Sequence, residues 1–309
     1  MSKQSAQPQN QQAWLGGLLK GIVKLLSWMP LRLNHALGSA LGSLFYWIPN
    51  SNRRIALINI QQVYPELSSE QQKAMLKANL KQTAKAFLEL GPAWYWSSEK
   101  LFDKIVEIKG KELVDQAMAK EKGVVFLGPH IGSWELIATY LSVLYPSTIL
   151  YRPPNVPSIE EFMVNARGRF GATMVATDGR GVRNLMKALK NKEVTAILPD
   201  QDPGESGGVY APFFGRPART MTLVSKLLQK TDSECLFAVM QRLPKGAGYV
   251  LHFLPADECI ASEDPEVATI ALNKGVERCI AIAPEQYLWS YKRYRKPPQG
   301  VADIYKNKP

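Results

Sequence analysis

The spacing of hydrophobic positions changes along the chain, and the change divides it into a helical amino-terminal stretch and an alternating strand–helix region. In residues 14–29, WLGGLLKGIVKLLSWM, the apolar residues Leu15, Leu18, Leu19, Ile22, Val23 and Leu26 recur at intervals of three and four. That period predicts an apolar helix face, with Lys20 and Lys24 one turn apart on another face. A second stretch, Leu33 to Ile48, carries no formal charge, places Gly38 and Gly42 in GxxxG spacing, and ends on Tyr46-Trp47. Ser69 with Gln72 predicts a capping box, after which Leu76, Leu80, Ala84 and Phe87 mark one face of a further helix.

Beyond residue 120 the pattern shortens to apolar runs. Gly123 to Leu127, Ser147 to Tyr151, Val194 to Leu198, Leu236 to Met240 and Tyr249 to Leu254 read as buried strands. Between them Trp134 to Leu144, Val182 to Leu189 and Met221 to Gln229 have helical spacing. Strands alternating with helices predict an α/β domain over 51–309, with a largely parallel central sheet flanked by helices. Residues 1–50 form a separate membrane-associating segment in this reading. Its two helices either enter the bilayer or its interface, or pack as amphipathic helices on the domain. A signal peptide fits less well, because the start has only Lys3 as a basic residue and charges split the apolar part.

Charge sharpens that division. The 309 residues carry a net charge of +11, and no acidic residue precedes Glu66. The tail repeats the bias, with Lys292, Arg293, Arg295, Lys296, Lys306 and Lys308 set against Asp303. Both ends favour anionic partners such as a lipid surface, a nucleic acid or an acidic carrier protein. The run from Tyr287 to Arg295 mixes aromatics with cations, and is read as an amphipathic helix with Leu288 and Tyr291 inward. No nucleic-acid fold signature accompanies it, and no nucleic-acid partner is expected. Cys235, Cys259 and Cys279 are odd in number and widely spaced, so neither a disulfide framework nor a metal site is predicted.

The candidate chemistry lies at Gly128-Pro129-His130-Ile131-Gly132-Ser133-Trp134-Glu135, where the first apolar strand gives way to a helix. Five residues apart within one helix, His130 and Glu135 would face different ways. His130 is therefore expected on the loop, with Gly132 permitting the turn, Ser133 capping the helix and Glu135 in its first turn. In that arrangement His130 takes the proton of an attacking alcohol, and Glu135 fixes the imidazole tautomer and stabilises the imidazolium. No serine or cysteine nucleophile is needed if the acyl donor is a thioester. Gly204-Glu205-Ser206-Gly207-Gly208 matches GxSxG, but Pro203 precedes it and no helix pattern follows, against a serine hydrolase using Ser206 with His252. Gly179-Arg180-Gly181 reads as a turn and helix cap, or as a cradle for an anion.

The stretch GPHIGSWE resembles the HxxxxD/E block of the glycerolipid acyltransferase superfamily. Its HxGxWE form is typical of the bacterial lipid A late acyltransferases, the lauroyl and myristoyl transferases. Further segments agree in the same order: NRRIALINIQQVYPELS (52–68), YRPPN (151–155), LPDQDPGESGGVYAPFFGRPARTMT (198–222) and PEQYLWSYKRYRKPP (284–298). The resemblance implies a cofactor-free acyltransferase acting at the cytoplasmic face of the bacterial inner membrane. It would move an acyl group from acyl carrier protein to a 3-hydroxyacyl chain on a lipid A precursor. It casts His130 as the base and Glu135 as its partner carboxylate. Transfer to a lysophospholipid, glycerol phosphate or another glycolipid stays open, as does a non-catalytic basic module. Arg152 and Arg219 are expected to bind phosphates, or Arg152 to neutralise an oxyanion, unless they are surface or structural cations. Arg167 is read as a substrate-binding residue or a solvated charge. Asp200 shares the crevice after its strand, where it lines the substrate site or orients an arginine.

Overall fold

The computed structural model describes residues 9–154 and 157–306. The expectations placed on Lys3, Asn155, Lys308 and the Leu15 side chain lie outside the described residues. Nine strands and twelve α-helices are described. Four helices come first: α1 (Gln9–Trp28), α2 (Leu31–Trp47), α3 (Ser51–Val63) and α4 (Ser69–Leu88). The short helices α5 (Leu90–Tyr95) and α6 (Ser98–Phe102) then lead into β1 (Ile105–Lys109) and α7 (Lys111–Ala119). The predicted capping box sits one residue earlier than expected, with Ser68 and Gln71 exchanging the two side-chain bonds.

The core region runs β2 (Val124–Leu127), α8 (Glu135–Leu144), β3 (Thr148–Tyr151), α9 (Pro157–Gly168), β4 (Thr173–Ala176), α10 (Gly179–Lys190) and β5 (Val194–Ile197). After it come the hairpin β6 (Gly208–Phe213) and β7 (Arg216–Met221), then α11 (Leu223–Thr231), β8 (Glu234–Arg242), β9 (Tyr249–Pro255) and α12 (Pro265–Ile282). The five-stranded sheet has the order β1-β9-β8-β2-β5. Only β8 and β9 pair antiparallel within it. The chain is thus mixed α/β with a mostly parallel central sheet, as the alternating pattern predicts. Strand β3 pairs with β4 in a separate parallel ribbon, joined to the sheet edge by a bridge from Ser147 to Val194.

All four residues of β2 are buried because the sheet is covered on both faces. Val125 and Leu127 point into one core with Ile60 of α3, Leu76 of α4, Val224 of α11 and Val276 of α12. Val124 and Phe126 point into the other, with Leu136 and Leu141 of α8 and Val114 of α7. Each such side chain contributes about 1.5–3 kcal/mol by leaving water, so register in β2 is strongly specified.

The amino-terminal helices pack on this body and also expose apolar surface. Asn34 donates to the Leu88 carbonyl, and the Trp96 indole donates to the Ser27 carbonyl. The GxxxG pair of α2 lets α4 approach closely: a Cβ at Gly42 would come within 2.3 Å of the Lys81 Cα. The apolar stripe of α1 divides. Val23 and Leu26 are buried, while Leu18, Ile22, Leu25 and Trp28 are exposed. On α2, Leu33, Leu37, Leu44, Phe45 and Trp47 are exposed as well. No helix among the described residues is long and apolar enough to cross a membrane.

The tail differs from its expectation. A short 3-10 turn, Pro284–Gln286, is followed by turns and bends through 295. Arg293 is buried, not solvated, because its guanidinium donates to the Arg219 carbonyl, the Thr220 hydroxyl and Asn273 Oδ1. Those acceptors offset part of the desolvation penalty that would otherwise keep an arginine at the surface.

Candidate active site

Strands β2 and β5 are parallel neighbours whose last residues, Leu127 and Ile197, pair in register. Their continuations therefore leave the sheet at one edge, where open α/β sheets form ligand crevices. The first continuation carries His130 and the second carries Asp200 and Gln201.

The loop holding His130 is fastened on several sides. Gly128 N–H donates to the Ile197 carbonyl, Ser133 N–H to that of Met240, and Leu288 N–H to that of His130. Gly132 adopts a φ of +60°, and a Cβ there would lie 2.0 Å from the Met240 carbonyl oxygen. Glycine is therefore required twice over, by conformation and by space, as the sequence predicts for this turn. Ser133 starts the helix differently from the expectation. Its carbonyl accepts from Leu136 N–H, and no side chain caps α8.

The imidazole Nδ1 of His130 lies 2.8 Å from Asp200 Oδ1, and the His130 backbone N–H donates to Asp200 Oδ2 at 3.2 Å. An ionised carboxylate only accepts, so Nδ1 carries the proton and Nε2 presents its lone pair. Gln201 places its amide nitrogen 3.2 Å from that Nε2. Trp134 flanks the ring, with centroids 5.3 Å apart. Asp200 is almost fully buried, while the His130 side chain stays 14% exposed. Burial by itself would raise the Asp200 carboxyl. The His130 charge and the hydrogen bonds from its ring and backbone outweigh this and hold the group below its usual range.

Glu135 falls in the first turn of α8 as expected, but its carboxylate does not hold the imidazole. Arg167 on α9 grips it with two bonds, Nη2 to Oε1 at 2.5 Å and Nε to Oε2 at 3.0 Å, and the Trp94 indole donates to Oε2. The geometry thus gives to Asp200 the orienting contact that local sequence suggests for Glu135. The physical reason is that a bidentate guanidinium outcompetes a single imidazole N–H for one carboxylate. Burial works against ionisation of Glu135, but Arg167, the Trp94 bond and the nearby His130 charge lower its pKa overall. Arg167 is therefore not a solvated charge; it sits beside the site. Trp134, Glu135 and Arg167 also border a small, largely apolar cleft walled by Ile137, Ala138, Leu150 and Ala196.

The remaining candidates are placed apart from the imidazole. Arg219, within β7 rather than ahead of a helix, donates to the Tyr210 hydroxyl and lies 3.9 Å from Asp202. Asp202 also accepts from Arg295 at 2.7 Å, forming a separate charged cluster two residues beyond Asp200. Arg152 follows β3 and is exposed. Ser206 lies on an exposed turn that leads into β6, so no strand–turn–helix elbow forms around it. His252, its only downstream histidine, bonds to Gln241 Oε1. In Gly179-Arg180-Gly181 the Arg180 and Gly181 amides are taken by the Asp178 side chain, which caps α10. Among the described residues no cluster of ligands suits a metal ion.

The sequence places Gln201 in the crevice only as part of the segment Asp200-Gln201-Asp202 and gives it no role of its own; its contact with Nε2 singles it out. Its only signal in the sequence is adjacency to Asp200 at the end of a buried strand.

The family described as bacterial lipid A biosynthesis acyltransferase matches residues 1–296. The lipid A biosynthesis lauroyltransferase of Escherichia coli K12 is 30% identical over 293 residues, covering 94% of this chain and 95% of that protein. The palmitoleoyltransferase of the same organism is 28% identical, covering 94% of each. Its myristoyltransferase is 23% identical over 302 residues, covering 96% of this chain and 90% of that protein.

Proposed function

The chain belongs to the bacterial lipid A biosynthesis acyltransferases, and we propose that it moves a fatty acyl group from an acyl-carrier-protein thioester to a 3-hydroxyacyl hydroxyl of a lipid A precursor. The observation that carries the catalytic part is the His130–Asp200 contact, which leaves Nε2 of a loop histidine directed away from its carboxylate.

In this reading the acceptor hydroxyl displaces the Gln201 amide from Nε2. His130 accepts the hydroxyl proton while the oxygen attacks the thioester carbonyl. The new ester C–O bond forms, the C–S bond breaks, and the imidazolium returns its proton to the departing thiolate. Asp200 keeps Nδ1 protonated and stabilises the imidazolium. Glu135 acts at one remove, holding Arg167 beside the site while its own charge also favours imidazolium. Arg167 beside the site, with the exposed Arg152 and the Arg219 of the neighbouring Asp202 cluster, supplies positive charge for anionic groups of the substrates. The apolar cleft beside Arg167 receives the start of the acyl chain.

The exposed Leu18, Ile22, Leu25 and Trp28 of α1, with Leu33, Leu37 and Trp47 of α2, support residues 1–50 as the membrane-associating segment. It would seat the 51–309 catalytic domain on the cytoplasmic face of the inner membrane, where acyl carrier protein and the lipid meet. The test offers the purified protein acyl carrier thioesters with either a lipid A precursor or a lysophospholipid. Ester formation on the lipid A precursor is expected. Transfer only to the lysophospholipid would replace the acceptor, and transfer from acyl-coenzyme A alone would replace the donor.

A further inference from the structure

A second cleft, of about 580 Å³, lies on the far side of the His130 loop, between α2, α4 and the turn joining β8 to β9. Arg32, Lys85, Arg242 and Lys245 line it, with His35 and Glu285. Gly246 in that turn lies so close to α2 that a Cβ there would meet the Arg32 backbone at 2.6 Å, so the turn forms a fixed wall.

The charges of this cleft do not balance. Arg242 is spent on Glu89, at 2.5 Å. Arg32, Lys85 and Lys245 form no ion pair among the described residues. Counting Glu89 behind Arg242, four cations face two carboxylates, leaving two positive charges in excess. His35, almost wholly buried, gives Nε2 to Glu89 at 2.6 Å and leaves Nδ1 with no hydrogen-bond partner. Burial, and then the Arg242 charge, push the Lys85 ammonium below its usual value, against the opposing pull of Glu89 and Glu285.

From this cavity and its unpaired cations, we propose that the cleft binds a phosphomonoester group, at a site separate from the His130 crevice. A phosphomonoester brings close to two negative charges and several acceptor oxygens, which suit one guanidinium and two ammonium groups. The volume also leaves room for the group's substituent, being within the usual range for small-ligand sites. The ligand would not be a bystander to the reaction. Arg242 donates to the Gly132 carbonyl at 3.0 Å, and Gln286 receives the Arg242 N–H at 2.8 Å while its own carbonyl accepts from Gly132 N–H. The floor of the cleft is thus the support of the His130 loop.

The phosphate has two possible sources, a free anion or a lipid headgroup reached along α2, whose outer flank exposes Leu33 and Leu37. The test is calorimetric titration of the detergent-solubilised full chain with inorganic phosphate, with short-chain phosphatidate, and with short-chain phosphatidylcholine. Binding of phosphatidate or phosphate, weakened by salt, is expected. The Arg32→Ala/Lys245→Ala variant, altered only at exposed positions, should bind roughly tenfold or more weakly. His130→Ala should bind as the parent does. Phosphatidate alone would indicate a headgroup site, and both ligands a site satisfied by the free anion. Absence of binding by both, equal binding by the double variant, equal binding of phosphatidylcholine, or loss in His130→Ala would each overturn the proposal. Because the readout is binding, its failure leaves the acyl-transfer assay untouched.

Discussion

His130 meets Asp200 at 2.8 Å, and His35 meets Glu89 at 2.6 Å, yet the two pairs are built for different work. Around His130 the carboxylate takes Nδ1, and Nε2 faces the Gln201 amide, which the proposed mechanism has a substrate hydroxyl replace. Around His35 the carboxylate takes Nε2, Nδ1 is enclosed, and Arg242 and Tyr249 crowd the same Glu89. A histidine beside a carboxylate becomes a base only where its second nitrogen is reachable. The first pair sits at the open ends of parallel strands; the second ties α2 to the body.

The contrast breaks most visibly at the proposed base, His130. His130→Ala should lower acyl transfer by roughly 10²–10⁴-fold, with a thermal midpoint close to that of the parent. Retained activity would remove His130 from the chemistry. Unfolding in place of inactivity would instead make it the structural member of the two.

Glu89→Gln should show the opposite profile, because it leaves a buried Arg242 without its counter-charge. Breaking such a pair costs about 3–5 kcal/mol, read as a lower midpoint in denaturant. Burial acts to raise the Glu89 carboxyl, but Arg242 and His35 bring it down to about 2 from 4.5. A depressed carboxylate contributes stability that is complete above its unfolded value near 4.5 and is lost as pH falls toward 2. The parent should therefore lose stability across that window, and the variant should show a shallower acid slope there. An unchanged slope would mean that Glu89 is not the charge holding α2 in place.

How far each pair can be read from sequence follows from distance along the chain. The strands β2, β5, β8 and β9 were legible because buried apolar runs leave few alternatives, and Gly132 because a strand-to-helix turn needs it. Glu135 looked like the partner of His130 because it is the nearest carboxylate in sequence. Asp200 is the partner because β5 lies beside β2, a pairing set by the whole sheet that no local pattern carries. Arg293 misleads for a related reason. Its neighbours in sequence are cations and aromatics typical of a surface helix, but its acceptors come from Arg219, Thr220 and Asn273. The hairpin β6–β7 and helix α12 likewise pass unmarked, since strand β6 contains Pro212 and begins in glycine.

Replacing the orienting carboxylate comes next in size. Asp200→Asn removes the charge that favours Nδ1–H and imidazolium, so kcat should fall about 10²-fold while substrate KM changes little. The carboxyl is held below its usual range in the folded protein. Its contribution to stability is accordingly present above the unfolded carboxylate value and fades as pH falls through the folded one. A rate defect equal to that of His130→Ala would mean that the two act as one indivisible unit.

The finest distinction lies between Asp200 and Glu135, and pairwise coupling resolves it better than any single loss. Glu135 touches Arg167 and Trp94, whereas Asp200 touches His130 by ring and backbone. In double-mutant cycles on kcat/KM, Glu135→Gln should couple to Arg167→Met by about 1–2 kcal/mol, as residues in direct contact do. With Asp200→Asn it should add within roughly 0.5 kcal/mol, because the two carboxylates act through different partners. Strong coupling between the carboxylates, with none to Arg167, would mean that Glu135 swings onto His130 when substrate binds. The arrangement with Arg167 would then be a resting state, and Glu135 would share the imidazole with Asp200 during turnover.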